Sequence, residues 1–472
     1  MCGIFGISCN DFLYSVAGMI YPGLMALQHR GQRSCGISTT QCEGKIVTSK
    51  DRGLVSRVLN PKLLSTFTGN VGIGHVSNDN FKITQKEDIH PYYHKSQNLE
   101  FSIAMDGALN NYKELREDLE GLGVIFSGNS HIELIAALIE LFYKINDKDI
   151  RLTLEKTMKT LKGAFSSVVL TNNGVLFAFR DPVGYTPLCY GILGNSQRTF
   201  YLVASESSAL DIMGCLDLRD VKPGELIEIS PISGTQEFQV LDQQRGGICH
   251  FEYVNRARPD SVLEGLSVAK IRYKLGRNLA KVDDISLDDA IVVPIPDSGR
   301  SAAMGYSWES GITYQEGLMK NRYKWKIKSQ IKDKLNPIQA VVNNKDIVLI
   351  DDSILSGNTL KKIISMLRGA GARSVNVRIS CPPIINKCET KGSFANKSLL
   401  IASHAKIQNY DNFNEEMRKY IGADSLKYQT IEFFFDAIGL NEENMCISCI
   451  AEYCLVKEEA KNNHLELDLI IK

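Results

Sequence analysis

Two kinds of apolar patterning occur along the chain, and they change near its middle. Up to about residue 235, short apolar stretches of strand length dominate, among them VGIGHVS (71–77), FSIAMDG (101–107) and FYLVASE (200–206). In AFSSVVLTNNGVLFAFR (164–180) an Asn-Asn-Gly break lies between two runs of β-formers, which predicts a hairpin. Apolar positions with helical spacing occur in MIYPGLMALQHRG (19–31) and HIELIAALIELFYKI (131–145). A layered domain mixing sheet and helix follows.

Residues 266–375 read differently. AIVVPIP (290–296) and DIVLIDD (346–352) are nearly unbroken apolar runs, as expected of parallel strands covered on both faces. Each is followed by a turn of small residues and a helical segment, and the second segment, LKKIISMLRGAGA, ends in glycine stop signals. This alternation predicts a parallel α/β sheet whose ligands sit at the carboxyl ends of its strands. From about residue 395 the chain is more polar, with one further helix expected and a group of cysteines. The predicted domains are 1–235 and 236–472.

A chain of 472 residues is too long for one core, which agrees with two domains. Lysine plus arginine equals aspartate plus glutamate at 54 each, so charge gives no reason to expect nucleic-acid or membrane partners. No apolar run approaches the roughly 20 residues that span a bilayer, and the amino terminus lacks a signal-peptide pattern. A cytoplasmic protein is expected. In that compartment the twelve cysteines stay reduced, serving as nucleophiles, metal ligands or buried packing groups.

Three features carry candidate chemistry. Removal of Met1 would leave Cys2 with a thiol and a free α-amine, a nucleophile and base in one residue. In IVLIDDSILSGNTL (347–360) a buried strand delivers Asp351 and Asp352 to its carboxyl end, before a loop of small residues and a helix. Such a loop admits a phosphate to backbone N–H groups at a helix N-terminus, and paired carboxylates suit ribose hydroxyls. MCISC (445–449) is a C-x-x-C pair, which on spacing alone fits zinc, a redox pair or chance.

Taken in order, MCGIFGI, LQHRGQRSCGI (27–37), GHV (74–76), DGALNNYKELREDL (106–119), EYVNRARPDS, PIPDSGRSAA (294–303), EGLMKNRY (316–323), the DDS motif and the C-x-x-C pair resemble the glutamine phosphoribosylpyrophosphate amidotransferases. The resemblance runs from Cys2 to about Tyr453. It implies an N-terminal-nucleophile amidohydrolase domain of layered α+β type, followed by an α/β type I phosphoribosyltransferase domain. It also implies that ammonia released from glutamine at Cys2 displaces diphosphate from C1 of phosphoribosylpyrophosphate, giving 5-phosphoribosylamine, the first step of purine synthesis.

On the same resemblance, Arg30 helps hold glutamine and Gly107 lends its N–H to the oxyanion. Asp351 and Asp352 hold the ribose hydroxyls, while Ser353, Ser356, Gly357, Asn358 and Thr359 cradle the 5-phosphate. Asp297 and Ser298 lie near magnesium and diphosphate, and Lys320 and Arg322 face phosphates. Ser298, Asp351 and Asp352 are the implied magnesium ligands. Cys249, Cys388, Cys446 and Cys449 match the branch that holds a [4Fe–4S] cluster, with zinc as the alternative. A homo-oligomer, dimer or tetramer, is implied as well.

The chain departs from the family pattern at five places, one of them the phosphate loop, where Ser356, Gly357, Asn358 and Thr359 stand for arginine followed by Gly-Thr-Thr. Ser77 replaces an arginine that clamps glutamine, Asp106 the oxyanion-hole asparagine, and His131 an aspartate. The segment 324–336 is shorter than the family's closing loop. A second reading is therefore a divergent paralogue that uses free ammonia or serves as a phosphoribosylpyrophosphate-binding regulator.

Overall fold

In the first half, alternation of side chains across each strand separates three apolar layers. The structure, a computed structural model, describes residues 2–40, 44–78, 86–194, 197–215, 217–321, 335–386, 388 and 410–450. The opening strand, Cys2–Cys9, is central in a seven-stranded sheet, where it pairs antiparallel with Val71–Ser77 on one side and Thr199–Ala204 on the other. A six-stranded antiparallel sheet stacks on it, with Glu100–Leu109 and Gly163–Thr171 near its middle. Ile4 points into the layer between the sheets with Ile73, Ala104, Val168 and Ile227. Phe5 and Ile7 point the other way, onto the Ala17–Ala26 and Ser207–Met213 helices. The helices His131–Ile145 and Ile150–Thr160 cover the outer face of the second sheet. The predicted hairpin is present as Gly163–Thr171 paired with Leu176–Arg180. The last strand of this pair of sheets, Gly234–Gln239, runs past position 235.

The second half is a five-stranded parallel sheet in the order Thr313–Tyr314, Ala290–Pro294, Asp346–Asp351, Ser374–Ile379, Ser425–Tyr428. Helices Val268–Lys281 and Arg300–Ser310 approach each other closely through two glycines. A Cβ on Gly276 would lie 1.8 Å from the Ala302 carbonyl oxygen, and one on Gly305 1.9 Å from that of Tyr273. Beyond position 395 two α-helices occur among the described residues, Tyr410–Ile421 and Ile431–Ile438, where the sequence pattern predicts one. The second is short but well bounded: Thr430 accepts from the Phe433 N–H, and Gly439 closes it at φ 79°.

Candidate functional site

Strand pairing decides where Cys2 sits. It lies opposite Ser77 in the ladder and shares a strand face with Ile4, so its thiol enters the layer between the two sheets. Cys2 is only 3% exposed. Its Sγ donates to Ser77 Oγ at 3.5 Å, and its backbone N–H donates to Asp106 Oδ1 at 3.0 Å. Asp106 and Gly107 come from the facing sheet. Gly107 has φ +139°, and a Cβ there would lie 1.9 Å from the Ala164 carbonyl oxygen, so both conformation and space demand glycine. His131 stands one layer away, where Nδ1 accepts the Leu109 N–H at 3.0 Å and the ring stacks on Tyr112.

Arg30 is fully buried beneath this corner. Its Nε donates to the Cys2 carbonyl at 2.8 Å; one terminal nitrogen donates to Glu206 (2.7 Å) and Glu252 (2.9 Å), the other to Asp106 (3.1 Å) and Glu252 (3.2 Å). A guanidinium has five N–H groups, and all five are taken. With its guanidinium so occupied, Arg30 braces Asp106 against the Cys2 backbone. Burial pushes the Glu206 carboxyl up, but the His29 hydrogen bond at 2.7 Å and the Arg30 charge outweigh it and hold it at about 2.

Sequence reading missed Glu206 and Glu252. Glu206 is an acid in an apolar stretch without a local basic neighbour, and that was the available signal; Glu252 has Arg256 four residues on and gave none. Glu252 lies in a single π-helical turn, Glu252–Arg256, inside the EYVNRARPDS motif. The same turn carries Asn255, whose Nδ2 donates to Asp352 Oδ2 at 2.8 Å. One five-residue turn thus touches the Cys2 corner with one side chain and the acidic pair with another.

The acidic pair ends the Asp346–Asp351 strand, and both carboxylates are buried. The Asp352 N–H donates to Asp351 Oδ1 at 2.9 Å. Burial, followed by the charge of Asp352, pushes the Asp351 carboxyl well above the usual carboxylate range. Gly357 then turns the chain with φ +66° into the helix Asn358–Gly369, and Tyr420 donates to the Asn358 side chain at 2.7 Å. The neighbouring strand Ala290–Pro294 pairs in register with Asp346–Ile350, so Asp297, Ser298 and Gly299 lie at the same sheet edge. Asp297 meets Lys320 and, at 3.3 Å, Arg300. The structure therefore brings together Asp297, Ser298, Lys320, Asp351, Asp352 and the 353–359 loop. Arg322 and residues 324–334 lie outside the described residues.

Cys249 and Cys446 face each other in a two-residue parallel ladder, Ile248–Cys249 with Met445–Cys446. Cys388 and Cys449 are buried nearby, and backbone N–H groups of Ile385 and Asn386 donate to the Cys449 carbonyl. Burial, followed by the Cys249 charge, pushes the Cys446 thiol up to about 12, and Cys449 is raised by burial and by Cys249, Cys388 and Cys446. The Arg256 guanidinium lies 4.0 Å from Cys249 Sγ. Among the described residues no three His, Cys, Asp or Glu converge as ligands of a single metal ion would. Cys9, Cys35, Cys189, Cys215 and Cys381 pack in apolar cores; Cys42 and Cys454 lie outside the described residues. No helix among the described residues is long and apolar enough to cross a membrane.

A buried amino-terminal cysteine between two stacked antiparallel sheets, joined to a parallel sheet ending in paired aspartates, defines a glutamine amidotransferase coupled to a phosphoribosyltransferase. Residues 78–211 match the family model described as a glutamine amidotransferase domain. The amidophosphoribosyltransferase of Methanothermobacter thermautotrophicus is 39% identical over 458 residues, covering 95% of this chain and 93% of that one. That of Bacillus subtilis is 35% identical over 461 residues, covering 95% and 92%. The solved glutamine phosphoribosylpyrophosphate amidotransferase from B. subtilis, complexed with ADP and GMP, superposes with a TM-score of 0.85 at 34% identity, covering 96% of this chain and 97% of that one. The chain belongs to the amidophosphoribosyltransferase family.

Proposed function

We propose that this chain makes 5-phosphoribosylamine by joining ammonia drawn from glutamine to C1 of phosphoribosylpyrophosphate, with diphosphate leaving. The observation that carries this is the shared sheet edge at which the Asp351–Asp352 pair meets the loop of Asp297 and Ser298. In this reading Asp351 and Asp352 take the ribose hydroxyls, the Ser353–Thr359 loop takes the 5-phosphate, and Lys320 leaves Asp297 for the diphosphate. Two neighbouring carboxylates with a serine suit magnesium, which needs few protein ligands because it keeps waters and substrate phosphates. When bound, the ion would neutralise the departing diphosphate. In the other half, Cys2 is the nucleophile and the Gly107 N–H faces the developing oxyanion.

The four buried cysteines suit a cluster. They come from three segments, two of them paired in the Ile248–Cys249 and Met445–Cys446 ladder, and four thiolates would hold a [4Fe–4S] centre, with zinc as the alternative. Its part would be structural, tying residues near 249, 388 and 446 together. A symmetric homo-oligomer and a cytoplasmic location complete the reading.

The test is release of diphosphate from phosphoribosylpyrophosphate with magnesium, supplied with glutamine or with ammonium. Turnover with both is expected, and the Asp351→Ala/Asp352→Ala double variant should lose it by at least a hundredfold. Full activity in the double variant would overturn the assignment of the site.

A further inference from the structure

We propose that Asp106 is a positioning residue for the α-amine of Cys2: with Met1 removed, its carboxylate, clamped from behind by Arg30, holds that amine beside the thiol and makes amide cleavage here a reaction of alkaline solution. This deepens the proposed function and rests on it. The geometry is specific. The Cys2 nitrogen lies 3.0 Å from Asp106 Oδ1, while Arg30 holds Asp106 Oδ2 at 3.1 Å and the Cys2 carbonyl at 2.8 Å. Carboxylate, amine and thiol are therefore fixed in sequence, the order of an orienting acid, a base and a nucleophile.

The chemistry follows from the charges. In the step itself, Sγ attacks the side-chain amide carbon of glutamine and the thiol proton passes to the amine. The amine then returns that proton to the departing nitrogen, which leaves as ammonia, and water hydrolyses the thioester to glutamate. The amine can take the thiol proton only when it is neutral. An α-amine ordinarily titrates near 8, and a carboxylate within about 4–6 Å raises that by about 1–3 units because it favours the ammonium.

The other charged groups around this corner do not cancel that effect. Arg30, from the turn after its helix, already meets three carboxylates: Asp106, Glu206 and Glu252. Arg256 lies 3.7 Å from Glu252, and His29 is spent on Glu206. His75, on the strand beside Cys2, points Nε2 at the Met105 carbonyl at 3.2 Å. Three acids against two guanidiniums, Arg30 and Arg256, leave this corner with an excess of acidic groups.

The experiment compares wild type and Asp106→Asn in three measurements. Intact mass establishes whether Met1 is absent. Glutamate release is followed against pH. The titration of the α-amine is read directly, as its pH-dependent acylation by a small reagent, by mass spectrometry. Expected results are a processed amino terminus, a wild-type acid limb above pH 8, and a shift of limb and amine titration down by about 1–3 pH units in Asp106→Asn. Retained Met1, or an amine titration that stays in place in the variant, overturns the proposal. The amine titration decides even where the variant turns over slowly. Wild-type protein that releases diphosphate with neither glutamine nor ammonium refutes instead the reading of function on which this one rests.

Discussion

Single residues in this protein carry more than one obligation, and Glu206 shows it best. Its folded carboxyl is held at about 2 against an ordinary value of 4.5. A depressed acid adds stability above its unfolded value, and that stability drains away as pH falls through the folded one. The contribution is on the order of 3 kcal/mol. Glu206→Gln should therefore lower the denaturation midpoint at pH 7 while flattening the loss of stability between pH 5 and pH 3. An unchanged acid slope would mean that Arg30 and His29 do not hold the charge.

Asp351 has the opposite sign. Its carboxyl is pushed up by burial and by Asp352, so the charged form costs stability at neutral pH. Asp351→Asn should unfold at higher temperature in the absence of ligand and should lose diphosphate release. Cys2 and the aspartate pair were legible as chemistry because each comes with its own local pattern. Glu206, Glu252 and the full occupancy of Arg30 were not, because their partners lie far apart along the chain and only the fold unites them.

At the level of elements, most of what positions the sites was written in local periodicity. The hairpin at 164–180, the helix at 131–145 and the two parallel strands all occur where apolar spacing and turn residues predict them. Beyond 395 one helix was expected, without bounds, and two α-helices occur among the described residues; the eight residues of Ile431–Ile438 give little periodicity to register, although its capping threonine and closing glycine are present. Helix packing is harder still to read, since a glycine in a helical pattern looks like a defect until its neighbour is known. Gly276→Ala places a methyl against the Ala302 backbone, on the helix that directly follows the Asp297 loop. The expected outcome is a loss of about 1–3 kcal/mol and a raised KM for phosphoribosylpyrophosphate. Unaltered melting and KM would mean that the two helices can separate without disturbing the loop.

Across the whole molecule, the C-terminal segment is tied down by packing of Met445, Ile447, Cys449 and Ile450 into the core of the second half. The Met445–Cys446 strand pairs with Ile248–Cys249, joining the end of the described chain to the segment that leaves the first domain. If a cluster sits there, Cys446→Ser/Cys449→Ser should lack bound iron and its visible absorption, and should melt several degrees earlier. Wild-type protein purified anaerobically without iron would count against the cluster. Charge balance, size and domain pairing were legible from composition and motif order, whereas this long-range tie depends on three segments meeting in space.

The turn at Glu252–Arg256 also bears on how the protein can be dismantled. An amino-terminal fragment ending at position 235 would lack Glu252, leaving Arg30 with two of its three acidic neighbours and a solvent-filled gap where the third had been. Grafting the amide-splitting half onto another acceptor enzyme would therefore require carrying this short piece along, or rebuilding its glutamate from the new host.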